Sequence, residues 1–62
     1  MKTYEFKSER NWDKVYDSMD SINRWEHNFT SYGYKAITVF DETTDAFLID
    51  FCKKNRIAFK EI

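Results

Sequence analysis

Residues 41–55 read DETTDAFLIDFCKKN, and the fold of the chain turns on whether they form a helix or a strand. As a helix, Phe47, Leu48, Ile49, Phe51 and Cys52 share one broad apolar face, with Asp50, Lys53 and Lys54 opposite. Thr43 or Thr44 would cap its start and Asn55 its end. The charges sort the same way: Asp41, Glu42 and Asp45 fall where a helix dipole is positive, and Lys53, Lys54 and Arg56 where it is negative. As a strand, AFLIDFC has high β-propensity and would pair with ITVFD through an ETTD turn. No glycine supports a tight turn there. The helix is the preferred reading and the hairpin its alternative.

Outward from this stretch the periodicities change. Tyr4 and Phe6 alternate with Thr3, Glu5 and Lys7, which predicts a strand with one buried side. Ser8 or Asn11 can cap a helix after it, and Glu9 and Asp13 suit its first turns. Trp12, Val15, Met19, Ile22, Glu26 and Phe29 follow in a 3-4-3-4-3 spacing, a helix seam interrupted by Glu26. Asp20 and Arg24 make an i,i+4 pair. Gly33, the sole glycine, is the expected helix stop in the left-handed region. Residues 35–40, KAITVF, are apolar on both faces and predict a central strand, with Ile37 and Val39 on one side and Ala36 and Phe40 on the other. IAFKEI, residues 57–62, closes the chain as a strand. The expectation is one α+β domain over residues 1–62, a three-stranded sheet packed on one or two helices in the order β-α-β-α-β. The hairpin alternative gives β-α-β-β-β with a C-terminal meander.

A chain of 62 residues buries only about 60% of its unfolded surface. The two Trp, four Tyr and six Phe, set against one Gly and no Pro, therefore matter. Each ring can bury roughly 150–250 Å². Either the rings form a dense core, or some of them form a contact surface. The single Cys52 cannot form an intramolecular disulfide, and a lone thiol fits a reducing cytosol. The opening MKTYEFKSER carries no apolar signal region, and no apolar run approaches the ~18 residues of a membrane span. These features lead to the expectation of a cytoplasmic protein with no membrane partner. A net charge of −1 excludes a general polyanion binder driven by net charge.

No catalytic, metal or phosphate-loop motif is present, so neither an enzyme nor a cofactor is expected. His27 is the only histidine and reads as a surface residue. In ITVFDETTD the carboxylates follow a strand, a placement similar to the haloacid-dehalogenase phosphatase motif. That motif's second aspartate is replaced here by Thr43, and the loop reads instead as an acidic cap for the next helix. Cys52 reads as a buried structural thiol.

Two surface groups remain. Trp25, Glu26, Tyr32 and Tyr34 gather where the helical seam rotates and stops; Trp and Tyr are enriched at interface hot spots, so these four are the candidate partner-binding residues. Lys53, Lys54, Arg56 and Lys60 form the one basic cluster and would serve RNA or single-stranded DNA. The leading expectation is a stand-alone binding module that occupies the surface of a larger protein or complex. The alternatives are a small nucleic-acid binder and a homo-oligomer, with a homodimer the simplest. In brevity, aromatic richness and lack of motifs the chain resembles the small accessory proteins of bacteriophages. That resemblance implies inhibition or redirection of a host enzyme or defence complex in the host cytoplasm.

Overall fold

Residues 41–55 fold as a helix, which removes the hairpin alternative. The computed structural model describes residues 1–22, 28–33 and 35–62. Its elements run β1 (Lys2–Phe6), α1 (Glu9–Ile22), β2 (Phe29–Ser31), β3 (Ala36–Val39), α2 (Glu42–Lys54) and β4 (Phe59–Glu61). Asp41, not Thr43 or Thr44, caps α2. Its backbone is extended (φ −137°, ψ 166°), and its carboxylate accepts the Thr44 amide at 2.8 Å. An aspartate one turn earlier satisfies an orphan amide that either threonine would have left open. Thr44, Leu48 and Cys52 then recur every four residues and are buried.

The C-terminus of α2 closes by a Schellman arrangement. Asn55 is the cap, the Arg56 amide reaches the Lys53 carbonyl, and the Ile57 amide reaches the Cys52 carbonyl at 2.9 Å. Buried Ile57 packs in the same core cluster as Cys52. This motif places Arg56 in the left-handed region at φ 55°. A side chain there costs roughly 1–2 kcal/mol, which glycine avoids. Arg56→Gly also loosens the unfolded chain, so the net expected gain is about 0.5–1 kcal/mol, or several degrees in Tm. Thermal unfolding followed by circular dichroism measures it.

Helix α1 begins at Ser8, whose hydroxyl accepts the Asn11 amide at 3.1 Å. Val15 and Met19 are wholly buried on its inner stripe. Trp12 and Tyr16 stack beside them with ring centroids 5.2 Å apart, and Tyr16 meets Phe29 edge-on. The Trp12 indole N–H donates to the Ala36 carbonyl at 2.9 Å, so the ring is tied to the sheet by its polar tip.

The sheet has four strands in the order β2-β3-β1-β4, every pair antiparallel. The expected three-stranded sheet is thus corrected by β2, which also overturns the helix seam running through Phe29 to a stop at Gly33. Phe29 satisfies the 3-4 spacing, but Thr30, Ser31, Tyr32 and Gly33 are weak helix formers. Pairing Phe29–Ser31 with β3 also covers what would otherwise be an open edge of a central strand. Gly33 is left-handed as expected (φ 58°), yet it serves the turn between β2 and β3, where Lys35 is left-handed too.

Alternation divides the sheet into two faces. Tyr4, Phe6, Phe29, Ile37 and Val39 are buried on the inner face, with Leu48 and Cys52 of α2 and Val15 and Met19 of α1 in the same cluster. Both helices therefore lie on one side. Tyr4 meets Phe59 edge-on at 5.5 Å, and its hydroxyl donates to the Asp45 carboxylate across to α2.

Candidate functional site

The register of the strands lays out the other face residue by residue. Its central row runs Thr30, Thr38, Thr3, because Thr30 and Thr3 both lie opposite Thr38. Ile62 extends that row, its amide donating to the Thr3 carbonyl at 2.9 Å. The next row runs Tyr32, Ala36, Glu5, Lys60: Glu5 pairs with both Ala36 and Lys60, and the Tyr32 amide donates to the Ala36 carbonyl. On the other side of the threonine row, the Phe40 amide donates to the Asn28 carbonyl, and the same register puts Met1 beside Phe40. No helix among the described residues covers these rows.

The floor of this face is small and self-satisfied. Ala36 and Thr38 are buried between their neighbours, and the Thr3 and Thr38 hydroxyls bond each other at 2.8 Å. The rim is large and apolar. Among the described residues the exposed large hydrophobics are Met1 (89%), Tyr32 (59%), Phe40 (47%) and Ile62 (56%). All four fall on the open face by alternation. The charges within the rows are Glu5 and Lys60, opposite in sign and directly paired in register.

The ends of the sheet differ in charge. Lys7 and Lys35 stand where β1 ends and β3 begins, with Glu9 lining the same groove as Lys35, and Lys53, Lys54 and Arg56 follow one another at the C-terminal end of α2. The Lys35 ammonium donates to the Lys7 carbonyl at 3.2 Å, and Lys54 pairs with Asp50 at 3.2 Å. At the opposite end stand Asp41, Glu42 and Asp45, with the Lys2 ammonium 3.8 Å from Asp45. Hydrogen bonds from Thr44, first its hydroxyl and then its amide, hold the Asp41 carboxyl below its usual range. A groove of ≈ 230 Å³ lies at this acidic end between Met1, Phe40 and Glu42. It is smaller than the ~300–1,000 Å³ typical of ligand sites. No group of three metal-ligating side chains gathers among the described residues.

The candidate residues read from the sequence are only partly placed. Trp25, Glu26 and Tyr34 lie outside the described residues, as do His27 and the Asp20–Arg24 pair's arginine. Tyr32 is exposed and stands on the rim of the open face. The basic four divide: Lys53, Lys54 and Arg56 sit at the end of α2, whereas Lys60 belongs to the open face opposite Glu5. Lys7 and Lys35, far apart in sequence, meet each other at the end of the sheet. Thr3, Thr30, Thr38 and Ile62 carry no signal of their own in the sequence, and Phe40 stands there only as a ring on the second face of the central strand. The alternation in MKTYEF and KAITVF does mark their face as the outward one.

Cys52 has no exposed surface, and desolvation pushes its thiol up to about 11 from an ordinary 9.0, the reverse of an activated nucleophile. The linkage follows directly: the unfolded thiol ionises first, so its contribution is full below pH 9.0 and is lost as pH rises toward 11. A decline on the order of 2 kcal/mol is expected across that window. Urea unfolding at stepped pH measures it, and Cys52→Ala is expected to flatten the decline between pH 9 and 10.

No helix among the described residues is long and apolar enough to cross a membrane. Comparison with protein-family models, with curated proteins and with solved structures found no match for the chain.

Proposed function

We propose that this chain is a protein-binding module whose contact surface is the open face of its sheet. The observation that carries the reading is the gathering of Met1, Tyr32, Phe40 and Ile62 around a floor of threonine and alanine. Apolar side chains grouped on one face are the usual mark of a protein contact. A small floor inside a large rim also suits the insertion of partner side chains. The near-neutral rows match the surface of another protein rather than a phosphate backbone.

The basic end is the feature that would serve the nucleic-acid reading. It is separated from the aromatic rim: Lys53, Lys54 and Arg56 lie beyond α2, in the layer behind the sheet. Stacking platforms for bases need rings and cations on one surface.

The test uses immobilised protein, its Thr30→Arg variant on the open face, and a Lys53→Glu/Lys54→Glu variant at the basic end. A specific protein contact is expected to survive high salt, to be lost in Thr30→Arg and to be kept in the double variant. Retention that collapses with salt and with the lysine substitutions, and that recovers oligonucleotide, overturns the reading.

A further inference from the structure

We draw no further inference here: the strongest candidate, the open face of the sheet with its rim of Met1, Tyr32, Phe40 and Ile62, is the surface already proposed as the protein contact, and nothing in the structure shows what covers it.

Discussion

Leu48→Ala is expected to leave the domain largely unfolded. Leu48 has no exposed surface and sits midway along α2, between Thr44 and Cys52 on the buried stripe. It shares one cluster with Tyr4, Phe6, Val15, Met19 and Ile37. Removing a buried leucine to alanine costs about 2–5 kcal/mol, through lost transfer energy and the cavity left behind. A single core in a domain of this size rarely supplies more than ~3–5 kcal/mol in all. The truncation therefore approaches the whole stability. Urea unfolding at 25 °C, read by far-ultraviolet dichroism, is the measurement. Asp50→Ala, on the exposed side of the same helix, is the control and is expected to change stability by less than about 0.5 kcal/mol. A Leu48→Ala loss below about 1 kcal/mol would mean that α2 does not press this side chain into the core.

Tyr4→Phe is the second large effect. The Tyr4 ring is buried, and its hydroxyl donates to the Asp45 carboxylate, joining the centre of β1 to the first turn of α2. Burial first, and the hydrogen bond to Asp45 second, push the phenol well above its ordinary pKa, so it stays neutral where an unfolded tyrosine ionises. A hydrogen bond to a charged group contributes about 1.5–3 kcal/mol, and its loss leaves a largely buried carboxylate to the more distant Lys2 ammonium at 3.8 Å. The expected loss at neutral pH is about 2 kcal/mol. A double-mutant cycle with Asp45→Ala isolates the pair, and a coupling of at least about 1 kcal/mol is expected. The phenol adds to the alkaline behaviour as well. Its contribution is present below pH 10.0 and falls above it, and Tyr4→Phe removes that part of the decline.

Much of this architecture can be read from residue order. The 41–55 stretch carries its helix in two independent signals, the apolar face ending in Cys52 and the sorting of acids before lysines, and both are realised in α2. KAITVF shows its central position by being apolar on both sides, and β3 does lie between two neighbours. β2 was not legible, because Phe29 fits a helical seam and a strand equally well. Only pairing with Val39 distinguishes the two, and pairing is a tertiary fact. The cap of α2 was missed by two residues because Asp41, Thr43 and Thr44 are all competent caps, and backbone geometry chooses among them.

The candidate surface was less legible than the fold. Ring count drew attention to Trp25, Tyr32 and Tyr34, but a contact surface is made by neighbours across strands, which sequence proximity does not report. Tyr32, Phe40, Met1 and Ile62 come from three regions of the chain and meet only through the registers of β2, β3, β1 and β4. Lys7 and Lys35 meet for the same reason, because β1 ends where β3 begins.

The central claim is that the open sheet face is where this protein makes contact, and amide chemical shifts recorded without and with the protein captured on the immobilised chain test it most directly. The predicted result is movement at Thr3, Glu5, Thr30, Tyr32, Ala36, Thr38, Phe40 and Lys60, with α2 residues such as Asp50 and Lys53 unmoved. Shifts confined to the helices or to the basic end would contradict it.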